Sequence, residues 1–466
     1  MNPTRLLMSL ILIVLNVTLV LGNDTLCIRH IIINGNKDVK RGYILREAGI
    51  QTGECYDSKR LALKLELANE RLVNSGAFYQ AASEVLVEAD SVDVVFNLKE
   101  MPHWALAGSV DLPDRNFNVW WELKENIFDR LNFSGRVRYN NLTGKNNRIS
   151  LTAQIGYAQK LQLEYETPYF DKAKKFGLYL GALVSRQQEI NYATIDNVQK
   201  FRVENDLFLY QRIRLSAGLT YWPQLLWKHS LMVNYHNNFI DDFVTKELNA
   251  NFFLNGDVQR FDEWVYMAEL EKRDFKIYPE KGYYFLGELR KEGLIRTRDL
   301  DALYLRAQYS QYFRVAPRWS TEHHGTFRVG LMRPENLPYN NIRALGWEND
   351  FVRGYEFYMI DGLDFYLLKN SIRFKLIDRD YPLFDWIPFK RFRSLPLKVY
   401  ISSNFDIGYA NNPFNFEENS FANSTLAGGG FGVDFVGYHN MMVSFELSAN
   451  DRGEVGVFLH YQFGIR

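Results

Sequence analysis

Cysteine is nearly absent, with two in 466 residues, so a disulfide-dense scaffold is excluded. Neither sign of charge is in excess. The 55 basic side chains are matched by 55 acidic ones, which removes the basic surplus that a nucleic-acid binder carries. Long hydrophobic runs are missing beyond the first 22 residues, so a bundle of membrane helices is excluded as well. Chemical signatures are equally scarce. The sequence has no H-E-x-x-H or C-x-x-C spacing for a metal, no G-x-S-x-G elbow and no G-x-x-x-x-G-K phosphate loop. It reads as a protein that is not an enzyme and needs no cofactor. What is plentiful is aromatic surface: 28 Tyr, 34 Phe and 9 Trp.

Residues 1–22 carry Arg5, an apolar stretch from Leu6 to Leu21, and the small residues Val20 and Gly22 before the mature chain. This is the layout of a signal peptide cleaved after Gly22, with an uncleaved anchor as the competing reading. Export would place Cys27 and Cys55 in an oxidising space, where they either pair or remain as two buried thiols.

Residues 23–102 read as β-α-α-β-β. Ile28 to Ile33 is β-branched and ends at Asn34-Gly35-Asn36. Arg41 to Ala48 is helical in pattern with Gly49 as its stop. Asp57 or Ser58 can cap a second helix that sets Leu61, Leu65, Ala68 and Leu72 on one face. Two strands follow, Glu84 to Glu88 and Val92 to Leu98. This order, with Arg71-Leu72-Val73-Asn74-Ser75-Gly76-Ala77-Phe78-Tyr79, resembles a POTRA domain, the periplasmic module of Omp85 proteins. A generic α+β spacer is the plain alternative.

From residue 103 to 466 apolar and polar residues alternate in segment after segment. Leu131, Phe133, Val137 and Tyr139 interleave with Asn132, Ser134, Arg136 and Arg138. Ile149, Leu151, Ala153 and Ile155 interleave with Ser150, Thr152 and Gln154, and Leu397, Val399, Ile401, Phe405 and Ile407 with Lys398, Tyr400, Ser402, Asn404, Asp406 and Gly408. Segments of about 9 to 12 residues suit strands that cross a bilayer at a tilt, with aromatics near their ends. The expected fold is a transmembrane antiparallel β-barrel of about 16 strands behind one small α+β domain, each strand and connection taking about 23 residues. A soluble sandwich would also alternate, with its apolar face as a core.

Two motifs sharpen this. Val352-Arg353-Gly354-Tyr355 follows a long polar stretch beginning at Pro334, and Phe405-Asp406-Ile407-Gly408 stands near the C-terminus. They resemble the VRG-aromatic tip of the sixth loop and the F-x-D-x-G strand of the Omp85 superfamily, in its BamA/TamA-like or D15 surface-antigen form with a single POTRA domain. Arg273-Asp274 with Pro279 and Gly282 resembles a further strand lead-in of that family. The resemblance implies that the loop at about 334–363 folds into the lumen and that Arg353 pairs with Asp406, with Gly354 and Gly408 allowing close approach. Where the family often has Glu, in Asn370-Ser371-Ile372-Arg373-Phe374, this chain has Ser371, so a second acidic partner is expected to be missing.

The resemblance also implies a function. The last strand, through Gly456, Val457, Leu459, Tyr461 and Phe463, would meet the first at a weakly paired seam. The protein would sit in the outer membrane of a diderm, Gram-negative bacterium, with its POTRA domain in the periplasm. It would help insert or translocate unfolded or β-rich client polypeptides, by strand addition at the POTRA domain and passage through the seam. Outer-membrane lipid and periplasmic or lipoprotein partners are expected, and nucleic acid is not. The alternative is a channel or structural barrel without insertase activity.

Overall fold

In the computed structural model the described residues are 25–88, 91–111, 131–204, 206–224, 226–296, 299–347, 349–382, 394–414, 419–437 and 441–463. The expected leader lies outside them. The chain divides into two units, one reaching to Pro102 and including 140–146, the other comprising 103–139 and 147–466.

In the first unit hydrophobic patterning builds the elements β1 (Leu26–Asn34), α1 (Arg41–Ala48), β2 (Cys55–Tyr56), α2 (Ser58–Asn74), β3 (Phe78–Glu88) and β4 (Ser91–Glu100). The sheet runs β2-β1-β4-β3, with β1 and β4 parallel. Gly49 ends α1 in the left-handed region, its N–H returning to the Leu45 carbonyl. The Asp57 carboxylate accepts the Arg60 N–H at 2.9 Å and so caps α2. Leu61, Leu65, Ala68 and Leu72 are buried, as are Ile31, Val94 and Phe96 from the sheet. Within this unit Asn146 donates to the Tyr43 hydroxyl at 2.8 Å and to the Ser75 carbonyl at 2.9 Å.

The two-residue β2 is an addition to the β-α-α-β-β order that the sequence suggests. Its origin is covalent: Cys55 stands opposite Cys27 on β1 and the two form a disulfide. On β1, Arg29 bridges Glu88 of β3 at 2.6 Å and Asp93 of β4 at 2.8 Å. Its hydrogen bond to Asp93 holds that carboxyl down to about 2. Because the folded value lies below the unfolded one, this contribution is present above the ordinary carboxylate range and is lost as pH falls toward 2.

The second unit contains a sixteen-stranded antiparallel sheet. It begins with β5 (Trp104–Asp111), β6 (Asn132–Asn140), β7 (Arg148–Gly156), β8 (Ala158–Thr167) and β9 (Phe176–Gln187). A loop hairpin of β10 (Glu189–Ile195) and β11 (Val198–Val203) intervenes. The sheet continues through β12 (Tyr210–Gln224), β13 (Trp227–Ile240), β14 (Val258–Glu271), β15 (Gly282–Glu292), β16 (Ala302–Ala316) and β17 (Trp319–Met332). The loop from 333 to 363 holds the short pair β18 (Arg343–Leu345) and β19 (Ile360–Asp361). The last five strands are β20 (Asp364–Pro382), β21 (Ser394–Asn411), β22 (Thr425–Gly437), β23 (Met441–Asn450) and β24 (Val455–Phe463).

Sheet order follows chain order from β5 to β24, so every neighbour is joined by a simple up-and-down connection. The two faces differ as two solvents require. Outward positions are apolar and exposed: Leu106 is 79% accessible and Val457 69%, with Phe133, Leu151, Leu163, Leu215, Phe405 and Phe445 in the same class. Inward positions hold buried polar groups such as Thr152, Asn238, Ser310, Ser371, Asn404 and Glu446. A soluble sandwich would bury the apolar face, so this inversion is the mark of a membrane barrel. Among the described residues no helix is long and apolar enough to cross a membrane.

One prediction concerns the disulfide. Replacing both Cys27 and Cys55 by Ser should destabilise the first unit by about 3 to 4 kcal/mol, the loop-closure entropy of a crosslink of this separation. Hydrogen exchange across α1 and α2 in the full chain is the measurement, and unchanged protection would contradict it.

Candidate functional site

The site begins with a geometric fact about β21. Alternation turns Ser402, Asn404, Asp406, Gly408 and Ala410 inward, and the Asp406 side chain is 0% accessible. A carboxylate in such a place needs charged partners. The loop between β17 and β20 delivers one. The guanidinium Nη1 of Arg353 lies 2.8 Å from Asp406 Oδ1, and the Arg353 backbone N–H donates to Oδ2 at 3.2 Å. Lys369 on β20 adds a longer contact to Asp406 at 3.6 Å and donates to the Phe351 carbonyl at 2.9 Å. Its ammonium also sits 3.7 Å from the centre of the Phe351 ring.

A second carboxylate is present after all. Glu446 on β23 places Oε1 2.6 Å from Arg353 Nε, so the guanidinium lies between two acids on different strands. The expectation of a missing second partner at Ser371 is corrected here: the acid comes from β23, three strands further along the wall. Its signal was legible, since Ser444, Glu446, Ser448 and Asn450 alternate with apolar residues, and Glu446 falls on the polar face. Glu446 is held further by Asn404 and by His460, whose Nε2 lies 3.3 Å from Oε2.

Close approach of the loop requires missing side chains. Gly354 has φ +83°, and a Cβ there would stand 2.7 Å from the Ala449 carbonyl carbon. On the wall, a Cβ at Gly428 would lie 1.8 Å from the Arg353 carbonyl oxygen, and one at Gly408 would lie 2.5 Å from the Val352 side chain. Gly428 on β22 therefore admits the loop, whereas a Cβ at Gly429 or Gly430 would meet the neighbouring strands at the Asn404 and Leu447 carbonyls. Val352 and Tyr355 are buried with Leu345, Ile360, Phe365, Leu367, Ala410 and Leu426 in one apolar cluster.

The remaining loop residues reach the last hairpin. The Tyr355 hydroxyl donates to Asp451, and the Tyr358 hydroxyl to Glu454 at 2.7 Å. Asn450 donates to the Gly354 carbonyl at 3.0 Å. Phe357 packs at 5.4 Å against Phe458, the buried inward residue of β24. Of the last-strand residues, Val457 and Tyr461 face outward, and Gly456 lies against the Phe458 ring. Leu459 is half-buried, and Phe463 pairs with Met441 through its backbone while its side chain lies outside the described residues. The Asp196-Asn197 turn joins the cap from the β10–β11 hairpin. Both residues have positive φ, the type I′ geometry of a two-residue hairpin. Asn197 accepts the Met359 N–H at 2.7 Å through its carbonyl and the Phe421 N–H at 3.0 Å through its side chain.

At the other end of the barrel, the turn between β14 and β15 also folds inward. Tyr278 donates to Asp434 on β22 at 2.5 Å. Glu280 accepts from Tyr400 at 2.7 Å and pairs with Lys375 and Arg314, both at 2.5 Å. Arg373 donates to the Pro279 carbonyl at 3.2 Å. The Arg273-Asp274…Pro279…Gly282 motif shapes this turn: Asp274 accepts the Phe275 and Glu280 N–H groups at 2.8 and 3.1 Å. Sequence reading found the motif but not its reach across to four other strands.

A sixteen-stranded, lipid-facing barrel with a loop pinned inside it defines a membrane β-barrel whose lumen is occupied from its own chain. A profile described as the Omp85 superfamily domain matches residues 141–364, and one described as POTRA, surface antigen variable number repeat, matches residues 27–101. Among curated proteins no sequence matches. Among solved structures, the fold is similar to BamA from Haemophilus ducreyi lacking POTRA domains 1–3, with TM-score 0.58, 13% identity and coverage of 94% of this chain and 84% of that one. It is also similar to CdiB from Escherichia coli (TM-score 0.51, 11% identity, 95% and 91% covered). CdiB from Acinetobacter baumannii matches as well (TM-score 0.50, 12% identity, 94% and 73% covered). The chain belongs to the Omp85 superfamily, with one POTRA domain ahead of the barrel. Such a barrel belongs to the Gram-negative outer membrane, where members of the superfamily act on polypeptides.

Two outcomes follow from the latch. Arg353→Ala leaves two buried carboxylates short of their cation and should cost about 3 to 5 kcal/mol of barrel stability. Arg353→Lys should recover only part, because an ammonium cannot span both acids. Unfolding in detergent with a denaturant series measures both, and equal stability of the three proteins would contradict the account. Gly428→Ala, with its methyl group driven into the loop carbonyl, should expose the loop to protease while leaving the strands folded.

Proposed function

We propose that this protein assists the insertion or translocation of polypeptides at the outer membrane. The reading takes residues 1–22 as an export leader, 23–102 as a periplasmic POTRA domain, 103–466 as the barrel, and the loop of about 334–363 as its internal latch. A client strand adds to an open sheet edge, first at the POTRA domain and then between β5 and β24.

The observation that carries this is the position of β5 and β24 at the two ends of the sixteen-strand order. Strand ends offer unpaired N–H and C=O groups, the template for a further strand. In the small sheet β3 has the same standing, at the edge with Tyr79, Leu86 and Val87 exposed. Latching of the loop to β21, β22, β23 and the last hairpin, with Phe357 packed on Phe458, supports the reading, because it stiffens the β24 side and leaves β5 as the edge that moves. Client folding and lipid burial would drive the process. No catalytic step and no cofactor enter it.

A second reading, a channel gated by the loop, is favoured by how much of the loop is buried against the lumen wall. The two separate in one experiment. Cys27 and Cys55 are already paired, so Val457→Cys provides a single reactive thiol on β24. Under the insertase reading it crosslinks to outer-membrane proteins in transit, and depletion of the protein lowers the level of those clients. No adduct, normal client levels and a large rise in conductance in Arg353→Ala would establish the channel instead.

A further inference from the structure

The two halves of the lumen are charged differently. On the wall that receives the loop, Asp406, Glu446 and Asp434 are matched by Arg353 and Lys369 or engaged by tyrosine and serine hydroxyls. On the other wall, alternation turns Arg136 and Arg138 of β6, Arg148 of β7, Lys160 of β8, and Arg212 and Arg214 of β12 inward. Their outward neighbours Phe133, Val137, Leu151, Leu161, Ile213 and Leu215 are exposed apolar residues, which fixes the assignment of faces. Against these cations the described inward positions of β6 to β9 and β12 offer two acids, Glu164 and Glu166. Both are engaged: Glu166 lies 3.2 Å from Arg148, and Glu164 accepts from the Tyr179 hydroxyl at 2.9 Å. Arg136 and Arg138 donate to hydroxyls, those of Thr152 at 3.0 Å and Ser150 at 3.3 Å. Among the described residues, no carboxylate lies within ion-pair distance of Arg136, Arg138, Lys160, Arg212 or Arg214.

We propose that this wall binds an acidic stretch of an extended polypeptide, which makes it the client-recognition surface of the barrel. The inference rests on the polypeptide-handling function above and adds the chemistry of the substrate. Three features point to a chain and not to a small anion. First, the cations are spread from β6 to β12 across four strand spacings, about 19 Å, the length of about six extended residues. Second, like charge between low-dielectric walls focuses its field into the lumen, and an arginine without a carboxylate is ready for a bidentate one. Third, the wall adjoins the proposed entry edge. Register places Ala105 opposite Arg138 and Ala107 opposite Arg136, so at these two positions β5 presents small side chains beside the guanidinium groups. A client strand at β5 would find space and positive charge on its lumenal side.

The test uses the full chain in detergent and two fluorescein-labelled peptides, one alternating Glu with Ser and one alternating Lys with Ser, read by anisotropy. The Glu peptide should bind about tenfold more tightly than the Lys peptide at low salt, and the difference should shrink as salt screens it. Arg136→Gln with Arg214→Gln should abolish the preference. Arg136→Lys with Arg214→Lys should keep most of it. The melting temperature of each variant reports whether the fold is intact.

Equal affinity for the two peptides, or a preference untouched by the Gln pair, overturns the proposal. So does displacement of the Glu peptide by inorganic phosphate at equal charge concentration, which would make the wall a general anion site. Displacement by lipopolysaccharide at lower concentration than by unlabelled peptide would assign the wall to lipid phosphates and overturn it equally. Crosslinking at Val457 is independent of all these readouts. Loss of peptide preference with crosslinking retained removes this inference alone, whereas peptide preference without crosslinking removes the insertase reading.

Discussion

One guanidinium organises the second half of this barrel. Arg353 arrives on a loop, enters a lumen walled by lipid-facing strands, and lies between carboxylates on β21 and β23. Without Arg353 the two acids at that depth would keep only the longer contacts of Lys369 and His460, and the loop alone would be a long polar segment with no reason to stay. Each therefore stabilises the other. The pairing is specific because a planar fork can address two carboxylates at once, and because glycines on both sides remove the Cβ atoms that would hold the backbones apart. The apolar cluster around Val352 and Tyr355 then seals the contact against water, which strengthens the charge interaction that brought it together.

The barrel makes such a latch necessary. In hydrocarbon every backbone N–H and C=O must be paired within the protein, and sequential antiparallel pairing satisfies those of the strands between β5 and β24. That arrangement puts most apolar strand residues outside and leaves an interior rich in Ser, Thr, Asn, Arg and Glu, apolar only where loops pack against the wall. Ionic and hydrogen-bonded contacts across the lumen take over the work that hydrophobic packing performs in a soluble domain. The loop does this at one end, and the turn carrying Tyr278 and Glu280 does it at the other, both against strands β20 to β23.

Periodicity made much of this legible in advance. Counting by twos turned Asp406 inward and Phe405 and Val457 outward, and counting by three and four put Leu61, Leu65, Ala68 and Leu72 on the buried face of α2. The order of motifs, from the POTRA-like phrase to the terminal strand, pointed to the family. What escaped was whatever depends on which strand lies beside which. Glu446 sits on a readable polar face, but its meeting with Arg353 is set by the shape of the barrel and by a contact across 93 positions of sequence. The inward reach of Tyr278 and the tying of Asn197 to two other loops are of the same kind. The pairing of β2 with β1 was hidden for another reason. Two residues carry too little pattern to register as a strand, and only the Cys27–Cys55 bond betrays them.

The two halves of the barrel differ in what they hold, and the difference has a direction. Strands β20 to β23 are loaded: a loop, a turn and an apolar cluster rest on them, and their acids are matched by cations. Strands β5 to β8 carry the small inward residues Ala105 and Ala107 and, beside the Arg148–Glu166 pair, the arginines Arg136 and Arg138, whose partners are hydroxyl groups. Stiffness therefore decreases, and uncompensated positive charge increases, on passing from the last strands to the first. The boundary between these regimes is the junction of β24 with β5. Opening there disturbs none of the contacts of Arg353, because Asp406 and Glu446 both lie on the loaded side. A latch placed on β5 or β6 would have tied the junction shut. Placed on β21 and β23, it leaves untied the seam that the proposed function requires.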